Sequence, residues 1–193
     1  MQFGLSEEQV LLQDNVNRFL DDHSSLDAVR AYADGGSDAA IWQGLADLGV
    51  AALLVPEEHG GIGLAPLDAA IVAESLGYHT APAPFLGSAI MAPTALSLAA
   101  GEHGELLSEL AAGTTRIGIA FGEAVGLRND AHVKATNSSQ LNVKSLFAFD
   151  ADAQSYLVAD EHKHLYLVAA DEPSLSRKEL NTVDKTRRTV ELT

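Results

Sequence analysis

Two groups of residues in this chain have the types and spacing to do chemistry. The first is Glu57–Glu58–His59, two carboxylates and an imidazole in a row after Pro56 and before Gly60–Gly61. Such a cluster could hold a cation or shuttle a proton. Its glycines support a plainer reading as a solvated turn, because glycine adopts positive φ without a Cβ clash. The second group is His162 and His164. On a strand they would share one face and could suit a metal; the competing reading is a hairpin shoulder carrying two exposed histidines. Glu123 stands apart as a third candidate acid. None of Glu57, Glu58 and Glu123 is assigned as a catalytic base, since proton abstraction is decided by geometry. No metal ligands are assigned. The sequence has no cysteine, which removes disulfides, thiolate metal sites and a thiol nucleophile. No serine nucleophile elbow is present. Gly60–Gly61–Ile62–Gly63 lacks the glycine spacing and strand-to-helix setting of a dinucleotide fingerprint.

Those residues sit in a chain of two electrostatic characters. Before Arg116 there are sixteen acidic residues against Arg18 and Arg30; from Arg116 onward eleven acids face ten basic residues, giving −14 and −1 of the total −15. The asymmetry predicts two structural units with a boundary near Thr114–Arg116. It argues against a nucleic-acid partner, whose affinity rests on phosphate neutralisation. The acidity itself is read as serving solubility. No apolar run reaches the ~20 residues of a membrane helix. Met1–Gln9 has no basic and apolar leader pattern. No membrane association and cytoplasmic residence are therefore expected.

The elements that must position the candidates follow from periodicity. Ser6 and Gln9 have capping-box spacing, with Leu5 and Val10 at staple positions. Leu12, Val16, Phe19 and Leu20 then form one apolar stripe, and the helix should stop near His23–Ser24. A short helix fits Leu26–Ala33. A third, capped by Ser37 or Asp38, carries Ile41, Leu45 and Leu48 inward with Trp42 packing beside them, and Gly49 closes it. Val50–Val55 reads as a buried run ending at Pro56. Leu67–Leu76 is predicted as a helix ended by Gly77, and Leu86–Ala100 and Glu102–Ala112 as two more. From Arg116 the period changes to alternation at Ile117, Ile119 and Phe121. A hairpin is expected from Ser155–Ala159 and His164–Ala169, and a last strand at Thr189–Leu192. The predicted fold class is α+β: an all-α bundle over residues 1–115, then a small antiparallel β-barrel or sandwich over 116–193, expected to be incomplete.

Several phrases, in this order, resemble acyl-CoA dehydrogenases. FGLSEEQVLLQDNVNRFL resembles that family's first helix, and WQGLADLGVAALLVPEEHGGIGL its N-terminal signature. GYHTAPAPFLGSAIMAPTAL resembles the helices that follow, and VDKTRRTVELT a strand late in its middle domain. The resemblance spans essentially the whole chain and is strongest over Trp42–Leu96. It implies FAD-dependent α,β-dehydrogenation of an acyl-CoA thioester, in fatty-acid or steroid degradation, by a homo- or hetero-oligomer with a related subunit. It implies FAD contacts at Phe121 and Gly122 through backbone amides, and at Leu146 and Ala148 by position. At these last two the family carries an aromatic ring cover and a hydroxyl donor. The Thr–Glu–Pro phrase of the family corresponds to Gly122–Glu123–Ala124, and its Gly–Ser–Asp phrase has no counterpart. Arg128, Lys134 and Lys144 could meet phosphates of CoA or FAD, while Arg187 and Arg188 could pair with acids of the helical lobe. The family's catalytic glutamate belongs to a C-terminal helical domain that this sequence does not include. The chain is therefore expected to be inactive alone. The alternative is a non-catalytic partner subunit with little flavin affinity.

Overall fold

A computed structural model of the protein describes residues 4–122, 130–137 and 140–193. Its fold is α+β, and it divides into two compact units, Met1–Thr114 and Thr115–Thr193. The first unit holds α1 (Glu7–His23), α2 (Leu26–Ala33), α3 (Ala39–Asp47), α4 (Pro66–Tyr78), α5 (Ala92–Leu98) and α6 (Gly104–Ala111). The capping box of α1 is formed in both directions. Ser6 Oγ accepts from the Gln9 N–H at 3.2 Å, and Gln9 Oε1 accepts from the Ser6 N–H at 3.0 Å. These bonds satisfy donors that a helix start leaves unpaired. Val16 and Leu20 are wholly buried on its inner face and join Ile41, Trp42, Leu45, Val50, Leu53 and Val72 in one core. Leu5 and Val10 are largely exposed, so the staple pair stands at the surface.

Three helical predictions are corrected. Leu48 lies past the end of α3 and is 40% exposed rather than inward. The α4 helix runs through Gly77 to Tyr78, because its inner face continues with Ser75 and Leu76 and nothing at Gly77 needs positive φ. The predicted single helix over Leu86–Ala100 is a π-helical turn at Phe85–Met91 followed by α5. The wider turn buries Phe85, Gly87, Ser88 and Ala89, and the α-helix begins where Pro93 fits the first turn, which needs no N–H.

The second unit is a sheet of β1 (Ile117–Ala120), β2 (His132–Asn137), β3 (Gln140–Phe149), β4 (Ser155–Ala159), β5 (Leu165–Ala169), β6 (Arg177–Glu179) and β7 (Thr189–Leu192). The strand order is β5-β4-β1-β3-β7-β6, with β2 paired to β3. The hairpin of β4 and β5 and the terminal strand β7 form as expected. One pairing departs from an all-antiparallel sheet: β1 and β4 run parallel, with Ile117 opposite Ser155 and Ala120 opposite Val158. The sheet is therefore mixed, and it does not close into a barrel among the described residues. Its core gathers Ala120, Val133, Ala148, Tyr156, Val158, Val190 and Leu192.

Candidate flavin-facing bulge and the signature loop

The signature loop is built by backbone bonds rather than by its carboxylates. After the short 3-10 turn Val50–Ala52, the chain passes Pro56, turns through Glu57–His59, and folds back. The N–H groups of Ile62, Gly63 and Leu64 then donate to the carbonyls of Ala52, Val55 and Leu53 at 3.0, 2.9 and 2.8 Å. Gly61 lies so close to the Val55 carbonyl that a Cβ there would collide with it, and Gly60 and Gly63 hold φ of 79° and 67°. Only glycine meets both demands. Glu57 and Glu58 point to solvent. The imidazole of His59 packs over Gly104 at the start of α6, where a Cβ would come within 3.0 Å of the ring. The loop is thus a latch that joins the Val50–Val55 run to α6.

On the β unit, the expected flavin positions fall on β1 and β3. Phe121 and Gly122 directly follow β1 and are half-buried; Glu123 and Arg128 lie outside the described residues. On β3 the pairing with β7 slips between Ser145 and Ala148, which makes a bulge holding Leu146 and Phe147. Phe147 takes φ of 60° and is 47% exposed. A bulge re-aims side chains, so this one could present a group to a ligand. The groups it carries are apolar. Ala148 is fully buried in the core of the β unit, and Leu146 is half-buried.

The bulge is anchored by residues that sequence reasoning missed. Asp150, at the end of β3 with φ of 72°, accepts a bidentate pair from Arg116 at 2.9 and 2.8 Å. Both side chains are nearly buried, at 9% and 12% exposure. The Tyr156 hydroxyl donates to the Asp150 carbonyl at 2.9 Å, and the Asp150 N–H donates to the Arg188 carbonyl at 3.0 Å. Burial pushes the Tyr156 phenol up from its ordinary value. Arg188 pairs with Glu179 and Asp152, both inside the β unit, where the sequence suggested partners in the helical lobe. The hydrogen bond from Arg188 holds the Glu179 carboxyl below the usual range. The signal for the anchor was an acid just past an alternating strand, but nothing in the spacing paired it with Arg116.

His162 and His164 are not on a strand. They lie in the turn between β4 and β5, their rings 6.2 Å apart. Asp160, with its side chain 3% exposed, organises that turn. It accepts from the N–H groups of His162 and His164 at 2.9 and 2.8 Å, from His164 Nδ1 at 3.1 Å and from the Tyr166 hydroxyl at 3.2 Å. Burial alone would raise the Asp160 carboxyl, but these bonds outweigh it and hold the group below its ordinary value. No group of three or more His, Asp or Glu with metal-holding geometry occurs among the described residues. No described helix is long and apolar enough to cross a membrane. Lys134 is exposed and Lys144 half-buried.

Against known proteins, residues 6–121 match the family model described as acyl-CoA dehydrogenase, N-terminal domain. The acyl-CoA dehydrogenase IpdE2 of Mycolicibacterium smegmatis is 40% identical over 108 residues, covering 54% of this chain and 35% of that protein. The ChsE4–ChsE5 complex from Mycobacterium tuberculosis superposes with a TM-score of 0.84 at 22% identity, over 100% of this chain and 55% of that one. A glutaryl-CoA dehydrogenase from Mycobacterium smegmatis in complex with FADH2 gives 0.81 at 16% identity, over 98% and 53%. This chain therefore spans about half the length of the solved structures it resembles, and the IpdE2 match covers about a third of that protein. With the family model matching 116 of the 193 residues, the chain belongs to the acyl-CoA dehydrogenase family.

Proposed function

We propose that this chain is the N-terminal helical unit and part of the β unit of an acyl-CoA dehydrogenase assembly, inactive by itself and completed by a related polypeptide. The family reaction is α,β-dehydrogenation of an acyl-CoA thioester, with FAD taking the hydride when bound. The observation that carries the proposal is the β3 bulge. Its side chains are Leu146 and Phe147, and Ala148 beside it is wholly enclosed by the core of its own unit. A flavin ring presents polar edge atoms, and each one buried without a donor costs roughly 1–3 kcal/mol. Backbone amides at Phe121 and Gly122 remain as donors, but the described side chains do not fit the ring. The chain's own contribution is the rigid helical unit and the anchored sheet against which other groups are placed. A partner polypeptide would bring side-chain donors for the ring. The two-protein complex among the similar structures supports such an arrangement.

The test is spectroscopic. The purified chain, incubated with excess FAD and freed of unbound cofactor, should stay colourless. Co-expressed with a full-length acyl-CoA dehydrogenase subunit from the same organism, it should co-purify as a yellow complex that an acyl-CoA bleaches. Stoichiometric flavin on the isolated chain would sink the proposal.

A further inference from the structure

The turn between β4 and β5 carries a pair of imidazoles that neither the signature loop nor the bulge uses. Its frame is the buried Asp160. The Asp160 carboxylate accepts from the N–H groups of His162 and His164 at Oδ1, and from His164 Nδ1 and the Tyr166 hydroxyl at Oδ2. The main chain ties the same turn twice: the Lys163 N–H donates to the Asp160 carbonyl, and the Asp160 N–H to the His164 carbonyl, each at 3.0 Å. An ionised carboxylate only accepts, so Nδ1 of His164 carries the hydrogen of their contact. In the neutral ring Nε2 then keeps its lone pair, and this side chain is 69% exposed.

His162 stands beside it. The two rings are 6.2 Å apart at 63°, and the His162 side chain is 74% exposed. A zinc–imidazole bond is about 2.1 Å, which sets the centre of each ligating ring roughly 3.2 Å from the ion. Two rings on one ion therefore stand about 5 Å apart at a tetrahedral angle and about 6.4 Å apart on opposite sides. The observed spacing falls inside that interval. Glu161 Oε1 lies 4.0 Å from His162 Nε2, so the carboxylates of Asp160 and Glu161 outweigh the single cation of the turn, Lys163.

We propose that His162 and His164 form an open site for one divalent transition-metal ion of the zinc or copper type, with Asp160 orienting His164. Ligating histidines characteristically give their other ring N–H to a carboxylate, which fixes the tautomer and strengthens the ligating nitrogen. Imidazole suits zinc, copper and nickel, whereas magnesium and calcium take oxygen ligands. The described residues offer no group of three such side chains, so water fills the remaining positions, as in open rather than closed sites. The inference rests on the geometry of this turn alone and is independent of the reading of the flavin positions.

The test titrates the purified chain with Zn2+ at about pH 7.5, above the ordinary titration range of imidazole. Calorimetry should give one ion per chain, and Mg2+ should give no heat. Long-range 1H–15N spectra of the imidazoles should show the ion on Nε2 of His164 with Nδ1 still protonated. His162→Ala and His164→Ala should each weaken binding by about tenfold or more, since either leaves a single ligand. His23→Ala, at an exposed histidine ending α1, should change nothing. Asp160→Asn should weaken binding by about tenfold to a hundredfold. It should also let the metal-free His164 ring populate both tautomers, which a loss of turn stability alone would not produce. Equal affinity in the parent and in either single-histidine variant overturns the proposal, because the rings would then bind ions one at a time. Zinc on Nδ1 of His164 overturns it too, as does half an ion per chain, which would mean a site shared between two copies. Unchanged affinity in Asp160→Asn overturns the role given to Asp160.

Discussion

The helical unit and the β unit carry the same family's pattern but spend their residues differently. In the helical unit, recognisable phrases and structural work coincide. The glycines of the signature loop stand where a Cβ would strike the Val55 carbonyl or where φ is positive. Trp42, the only tryptophan, is buried and donates its indole N–H to the Gly113 carbonyl at 3.0 Å. In the β unit, Leu146 and Ala148, which the resemblance sets at flavin positions, are apolar while the frame around them is firmly tied. The difference teaches that a family's sequence phrases are most legible where each residue also carries the packing, as in the signature loop.

The comparison can be broken most forcefully at Trp42. Trp42→Ala should destabilise the helical unit by about 3–5 kcal/mol, from the cavity left by a buried aromatic. The Gly113 carbonyl would lose its partner as well. If the two units fold as separate bodies, calorimetry should show the helical transition falling while that of the β unit holds. A single transition shifting as a whole would refute their independence.

Arg116 is the matching position in the β unit. Breaking a buried ion pair leaves an uncompensated charge, so Arg116→Met should cost about 3 kcal/mol. Asp150 would keep the Asp152 N–H as a donor at 3.1 Å, which softens the loss. Amide hydrogen exchange in dilute urea should place the loss in the β unit, at β4 first, since Tyr156 donates to the carbonyl of the same Asp150.

Legibility in the sequence follows the range of the forces. The Ser6–Gln9 capping box, the α1 stripe and the β4–β5 hairpin were readable because each is set by residues a few positions apart. The end of α4 was not, because Gly77 is a stop only where the chain must turn, and here Leu76 is still buried in the core. The parallel pairing of β1 with β4 and the Arg116–Asp150 anchor join residues more than thirty positions apart, beyond any local pattern. At the candidate site, the resemblance named Leu146 and Ala148 but gave no sign of the bulge, because that slip is set against β7, some forty positions away. Only packing shows that Ala148 faces a filled core.

That packing gives a sharper test of the contrast. Ala148→Thr introduces the hydroxyl that the resemblance implies at this position, yet it adds atoms to a closed core. Overpacking of this kind costs typically 1–3 kcal/mol. The variant should melt earlier in the β unit and gain no measurable FAD retention in equilibrium dialysis. A gain in FAD binding without loss of stability would mean that position 148 can open toward a ligand.

The smallest effect is expected at Asp160, and its sign follows from the bonds. The folded state holds this carboxyl below its unfolded value of about 3.9. A group with a depressed folded pKa contributes its full stability above the unfolded value and loses it as pH falls through the folded one. The contribution of Asp160 to the β4–β5 turn should therefore hold from neutrality down to about 4.5 and be lost below that. Asp160→Asn keeps one acceptor oxygen but removes the charge that the N–H groups of His162 and His164 face. The variant should flatten this acid-dependent step, read as amide exchange at His162 and His164, and leave the helical unit's acid response unchanged. Because Tyr166 also donates to this carboxylate, Tyr166→Phe should remove only part of the same step, which distinguishes a charge held by the turn from one held by the strand.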